Sequence, residues 1–214
     1  MYKTTELFDL SRSVAGSAVA KFDSAYLAVS AIEDIIADTA SGIASGEYTR
    51  TDSGALVSRS ARISDGAFIG ENVIICEGAE IRQGAFIRKN AIIGAHAVIG
   101  NSCEIKNSII FDEAQIPHFN YVGDSIIGWR AHLGAGVICS NLRSDKTSVK
   151  IRSESEIIDT GMKKLGAIVG DFAEIGCNSV LCPGSVIGKC AVVYPLSLVR
   201  TQIAEKSVFK GERA

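Results

Sequence analysis

From Val57 the chain keeps a strict beat: Val57, Ile63, Ile69, Ile75, Ile81, Ile87, Ile93, Ile99 and Ile105 stand six residues apart. Four residues after each of the first eight comes a small or modest side chain: Ala61, Ala67, Val73, Ala79, Ala85, Ala91, Ala97 or Cys103. The phase returns at Val169, Ile175, Leu181, Ile187, Val193 and Val199, with fragments at Ile127 and Leu133. A period of six matches neither a helix nor plain strand alternation, because it singles out one of every three alternating positions. It fits a chain that turns a corner every six residues, three flat faces closing a triangular coil. Each β-branched residue then points into a narrow prism and is buried against the coils above and below, which is worth about 1.5–3 kcal/mol per Ile or Val. The small residues suit the corners, and Asn72 and Asn90, one coil apart, are placed to stack as an amide ladder. The pattern predicts about seven coils. An antiparallel sandwich would show hairpin signals such as Asn-Gly, and the sequence has none.

Residues 1–50 lie outside the repeat. Phe22, Tyr26, Val29, Ile32, Ile36, Ala40 and Ile43 recur at helical steps, with Asp23 or Ser24 as N-cap and Gly42 or Gly46 near the end. One amphipathic helix is expected, covering the open end of the first coil or joining an oligomer contact. The expected organisation is a helical arm over 1–50, an all-β solenoid over 51–205 and a tail over 206–214. The repeat breaks at 111–125 and again at 140–166, both read as inserted loops, where solenoids often carry their binding face.

The second break holds Arg143, Lys146, Lys150, Arg152, Lys163 and Lys164. This density of positive charge belongs either to a site for a phosphate-bearing ligand or to a solvated loop. The chain as a whole carries a formal charge of −2, which argues against nucleic acid or an anionic membrane as the main partner. No apolar run approaches the roughly 20 residues of a membrane span. Six cysteines without a CxxC pair read as buried thiols in a reducing cytoplasm. The three histidines, His96, His118 and His132, are not spaced to converge, so no metal is expected. His96 reads as an outward surface residue of the regular repeat. His118 follows Pro117 inside a break, beside Phe119 and Tyr121, and a largely neutral imidazole there is a candidate general base.

These residues resemble a known family. The six-residue repeat is similar to the left-handed parallel β-helix of hexapeptide acyltransferases. The run EIKNSIIFDEAQIPHFNYVGDSIIGWRAHLGAGVICSN, residues 104–141, resembles the acetyltransferase half of the bifunctional enzyme that makes UDP-N-acetylglucosamine. Through NLRSDKTSVK and DTGMKKLGAIVGD the resemblance is closer to the C-terminal domains of sugar-1-phosphate nucleotidylyltransferases that also acetylate amino sugars.

The resemblance implies an acetyl-CoA-dependent N-acetyltransferase acting on a hexosamine 1-phosphate, glucosamine or galactosamine, with active sites between the subunits of a homotrimer. His118 matches the family's base and Glu104 the carboxylate that orients it. Arg88 and Lys106 match residues that hold the sugar phosphate, Tyr121 matches a tyrosine at the same sugar site, Asn141 matches an asparagine beside the reacting groups, and His132 stands where relatives carry a sugar-site asparagine. Ala135, Lys150, Lys163, Lys164 and Cys177 fall at acetyl-CoA positions. Lys146 sits one residue before the family's other lysine, with Thr147 in its place, and Leu142 replaces a tyrosine. Only about fifty residues precede the repeat, so no uridylyltransferase activity is expected. The competing expectation is a non-catalytic subunit that binds sugar phosphates or nucleotide sugars and partners a separate nucleotidylyltransferase.

Overall fold

The computed structural model describes residues 2–44, 46–153 and 155–211. From Leu56 the chain winds through stacked coils of short parallel strands, a β-solenoid with three flat faces. The first face contains Val73–Ile75, Ala91–Ile93, Ala167–Val169 and Ser185–Ile187. The second runs from Arg62–Ile63 to Val208–Phe209, and the third from Phe68–Ile69 to Leu198–Val199. The second face is an eight-stranded sheet, so the described solenoid has eight coils where about seven were expected. The additional one comes from Val208–Phe209, which pairs with Val192–Val193. Residues expected as a tail therefore extend the prism, and 212–214 lie outside the described residues. Inside the prism the β-branched series and its small companions form one buried column from Ala55 to Ile203. The Asn72 amide donates to Asn90 Oδ1 at 2.8 Å, forming the expected ladder.

The two breaks differ in kind. Ile75 pairs with Ile93, 18 residues on, but Ile93 pairs with Ile110 and Ile110 with Ile127, steps of only 17. The stretch 111–125 thus contains no inserted loop: each of these coils has lost one residue. The loss falls at the corner between the third and first faces, where Glu104–Ile110 and Tyr121–Ile127 run through the bend as continuous strands. Asn107 and Asp124 make that bend in a left-handed backbone conformation, φ 45° and 51°, one that Asn and Asp tolerate better than most residues. The second break is a true insertion, since Ile127 pairs with Val169, 42 residues on. It holds an antiparallel pair, Lys150–Arg152 with Ile157–Asp159, closed at its neck by a bridge between Leu142 and Lys164.

The N-terminal region is not one helix and does not cap the coil end. It forms Thr4–Leu7, Gly16–Val19, Ala25–Ser30 and Ile32–Gly42, with Ser24 at the N-cap position of the third and a change of direction at Ala31. Its apolar side chains, among them Leu7, Val19, Val29, Ile32 and Ile36, lie against the outside of the first face. The reason is a stripe of outward residues on that face: Ile74, Ile92, Ile109, Ile126, Ile168 and Val186, all buried in one cluster with the helices and with Val149, Ile151 and Leu165 of the insertion. Left bare, these six would expose a continuous apolar ladder. Covering them contributes on the order of 10 kcal/mol before ordering costs. At the open end it is the strand Tyr48–Arg50 that lies antiparallel on Leu56–Ser58. Asp171 latches the segment down by accepting from the backbone N–H groups of Asp9 (2.6 Å) and Trp129 (2.9 Å). Burial pushes its carboxyl pKa up, and Lys189 at 3.3 Å partly offsets this.

The thiols also differ from expectation. Cys103 and Cys139 are buried inside the prism and Cys76 outside it, in the cluster formed with the N-terminal helices, but Cys177 and Cys190 are exposed and Cys182 is half-buried, because the latter three are neither inward nor part of that cluster.

Candidate functional site

With the first face covered, the chemistry collects on the third face and its two edges. Outward along this face, in register, stand Phe68, Phe86, Glu104, Tyr121, Ile138, Val180 and Leu198. The row is apolar at both ends and polar in the middle.

The edge between the second and third faces carries His118. Its carbonyl accepts from Gly136 N (3.0 Å), the Ala135 carbonyl accepts from Asn178 N (2.8 Å), and the Cys177 carbonyl accepts from Leu196 N (2.9 Å). His118, Ala135 and Cys177 therefore occupy one edge in three successive coils. The imidazole is exposed, beside the Phe119 ring at 6.3 Å. Its backbone is fixed from inside the prism: buried Asn120 accepts from His118 N through Oδ1 (3.1 Å) and donates to the Gly134 carbonyl (2.7 Å). Asn120 stands in the series of small inward residues, where neighbouring coils have Cys103 and Val137. An amide at a position the repeat gives to alanine was the signal that sequence reading passed over.

The opposite edge, between the third and first faces, carries a polar network. Asp124, almost completely buried, accepts from Lys106 Nζ (3.1 Å), Asn107 Nδ2 (2.9 Å) and Asn141 Nδ2. Asn141 Nδ2 also donates to the Tyr121 hydroxyl at 3.1 Å, and burial raises that hydroxyl's pKa. Arg88 Nη1 donates to Glu104 Oε1 at 2.9 Å, and no hydrogen bond joins Glu104 to His118 among the described residues. Arg88, Glu104, Lys106, Tyr121 and Asn141 are thus brought together across the third face from His118. His132 is not: it lies outward on the second face, its Nδ1 2.9 Å from Glu174 Oε2.

Beyond Asn141 the same edge opens into a cavity of about 570 Å³ lined by Leu142, Arg143, Lys150, Arg152, Cys182 and Arg200, among others. Arg143 is committed to Asp145, whose carboxyl it holds far below the usual range. Lys150, Arg152 and Arg200 give the wall an excess of positive charge suited to phosphate oxygens. Lys163 and Lys164 are exposed at the neck of the insertion and do not line this cavity. A second cavity, about 600 Å³ around Tyr48, Cys76 and Asp112, lies beside the N-terminal region on another edge. Among the described residues no group of three or more His, Cys, Asp or Glu side chains is placed to hold a metal ion, and no helix is long and apolar enough to cross a membrane.

Comparison with known proteins finds relatives over part of the chain. A family model described as the GMPPB C-terminal domain matches residues 69–160. The bifunctional sugar-1-phosphate nucleotidylyltransferase/acetyltransferase of Sulfurisphaera tokodaii is 38% identical over 107 residues, 50% of this chain and 27% of that protein. The bifunctional protein GlmU of Methanococcus maripaludis is 38% identical over 110 residues, 51% of this chain and 26% of that protein. The chain matches only about a quarter of the length of these relatives. Among solved structures, the acetyltransferase domain of PglB from Neisseria gonorrhoeae in complex with acetyl coenzyme A aligns with a TM-score of 0.32 and 11% identity, covering 82% of this chain and 60% of that one. Over about half its length this chain is homologous to a bifunctional sugar-1-phosphate nucleotidylyltransferase/acetyltransferase and to a bifunctional protein GlmU.

Proposed function

We propose that this chain is an acetyl-CoA-dependent N-acetyltransferase whose acceptor is a hexosamine 1-phosphate, bound across the third face with His118 as general base. The observation that carries this reading is the division of that face: His118, Ala135 and Cys177 stack on one edge, while Lys106, Tyr121 and Asn141 meet on the other. A thioester laid along the first edge would bring its carbonyl to His118, and a sugar spanning the face would present its amino group there. An ammonium cannot attack a thioester. The acceptor enters as the free amine, its ammonium proton lost to solvent; His118 then takes one further proton as nitrogen adds to the carbonyl carbon, and as the C–S bond breaks the imidazolium returns that proton to the departing CoA thiolate. Alignment of the two reactants supplies much of the remaining acceleration. No covalent cysteine intermediate is needed, and exposed Cys177 serves through its backbone position.

Lys106, with Arg88 beyond it, meets the sugar phosphate, and Lys150, Arg152 and Arg200 meet the phosphates of acetyl-CoA. Both edges open outward, so a neighbouring copy would close the site, and a homotrimer is the assembly this reading carries. Thiol release from acetyl-CoA across a panel of amino-sugar phosphates and nucleotide sugars tests the proposal. Glucosamine 1-phosphate or galactosamine 1-phosphate should be the best acceptor; absence of release with every member of the panel rejects it.

One observation favours a second reading. The Glu104 carboxylate is held by Arg88 and not by His118, as suits a surface that binds sugar phosphates without turnover and partners a separate nucleotidylyltransferase. Calorimetry with acetyl-CoA separates the two, since only the enzyme needs to bind it.

A further inference from the structure

Four residues in successive coils of the third-to-first edge take a left-handed backbone conformation: Asn72 (φ 54°), Asn90 (φ 53°), Asn107 (φ 45°) and Asp124 (φ 51°). Asn72 donates to Asn90 at 2.8 Å, and Asn107 donates to Asp124 Oδ1 at 2.9 Å. An asparagine at 124 would keep both the bend and the acceptor for Asn107, so the ladder alone does not call for a carboxylate. What the carboxylate adds is at its second oxygen, which takes Lys106 Nζ at 3.1 Å and Asn141 Nδ2. The Asp124 side chain is 7% exposed and that of Lys106 13%. A buried charge is retained at a cost unless it is paired and hydrogen-bonded, and here three donors converge on it.

The preceding residue points the same way. In the coils below, the position before the left-handed residue is Glu71, Lys89 or Lys106, but before Asp124 it is Gly123. A Cβ there would lie 2.5 Å from the Tyr121 hydroxyl and 2.8 Å from Asn141 Nδ2. Glycine clears the space in which Asn141 reaches Tyr121, and the aspartate holds Asn141 in it. The backbone completes the arrangement: Gly166 N donates to the Asp124 carbonyl at 2.8 Å and Leu165 N to the Asn141 carbonyl at 3.0 Å. The neck of the basic insertion therefore closes on the same two residues.

We infer that Asp124 is a positioning residue, fixing the Lys106 ammonium and the Asn141 amide at the acceptor edge and tying that edge to the base of the cationic insertion. Lys106 keeps further N–H donors for an acceptor's oxygens, in an orientation set by Asp124. The kinetic consequence rests on the proposed acetyl transfer; the structural one does not.

The test uses the full chain carrying Asp124→Asn, a replacement that the ladder below already accommodates. Amine labelling with N-hydroxysuccinimidyl acetate, read by peptide mass spectrometry against Lys89 as internal standard, should become about tenfold faster at Lys106 once its charged partner is gone. The acceptor KM should rise about tenfold while the acetyl-CoA KM stays within about twofold. Unchanged labelling of Lys106 overturns the pairing. Released labelling with unchanged acceptor kinetics overturns the positioning role. If the unmodified chain fails to release thiol with any acceptor of the panel, the acetyl-transfer reading fails, and the labelling alone decides the claim for Lys106. Should Asp124→Asn not fold, Gly123→Ala keeps the carboxylate but displaces Asn141 and Tyr121: it should raise the acceptor KM with Lys106 labelling unchanged, and a normal acceptor KM would contradict the inference.

Discussion

The two departures from the six-residue period make an instructive pair, because one is a loss and the other a gain. At Asn107 and Asp124 each coil drops one residue and the strand bends without leaving the sheet. After Asn141 the chain instead leaves the solenoid and returns at Ala167. The shortened corners hold polar groups at fixed heights on a rigid prism, which suits bond-making between small reactants. The insertion holds cations on an antiparallel pair anchored by buried Val149, Ile151 and Leu165, which suits a larger phosphate-bearing ligand. Rigid geometry and adaptable charge are thus supplied by opposite edits to one repeat.

The sharpest way to break this comparison is to undo the loss. Inserting one residue after Lys106 and another after Gly123 restores regular coils while leaving every inward residue in place. Initial rates of thiol release should fall at least about 100-fold, with circular dichroism still reporting the solenoid; a variant that keeps its rate would show that the shortened corners are incidental.

A second test concerns the covered first face. Ile109→Ala, within a shortened coil, should cost about 2–5 kcal/mol in denaturant unfolding, because the side chain is fully buried under the N-terminal helices. A near-zero cost would mean that these helices are not held on that face in solution.

Changes in the cationic wall of the cavity should act on affinity. Lys150→Ala, Arg152→Ala and Arg200→Ala combined should raise the acetyl-CoA KM about tenfold at low salt and less at high salt, with kcat little changed. A selective fall in kcat would move the cations to the reacting centre. The smallest effect belongs to the ladder away from the site: Asn72→Ala should cost about 1 kcal/mol and leave kinetics untouched, as thermal unfolding and initial rates together would show.

Much of the prism was legible because Ile and Val inside a narrow triangle have no alternative neighbours, so their period survives unblurred. The position of the helices was also written in the chain: Val73-Ile74-Ile75, Ala91-Ile92-Ile93 and Ser108-Ile109-Ile110 place an apolar residue outward as well as inward. A period-six reading weighs only the inward one. The last coil was missed because Ile203 follows Ile187 by 16 residues, which breaks the count just where Val208 and Phe209 resume it. The lost residues at 107 and 124 looked like an insertion for the same reason, since a slipped phase has no sign until strands are paired. The motif residues divide between the two edges of the third face, Arg88, Glu104, Lys106, Tyr121 and Asn141 on one side and His118, Ala135 and Cys177 on the other, whereas His132, next to the same motif, turns outward on another face. Asp124 and Asn120 were passed over because their roles depend on partners 17 or 14 residues away, a relation that only the coil register reveals.

The most direct measurement compares the intact chain with His118→Ala, following the N-acetylated sugar phosphate by mass spectrometry at saturating acetyl-CoA, with thermal unfolding measured in parallel. Because His118 is exposed and its backbone is held by Asn120, the variant should unfold at nearly the same temperature while its kcat falls about 100- to 10,000-fold. Product formation at the same rate in both proteins would contradict the assignment of His118 as the base.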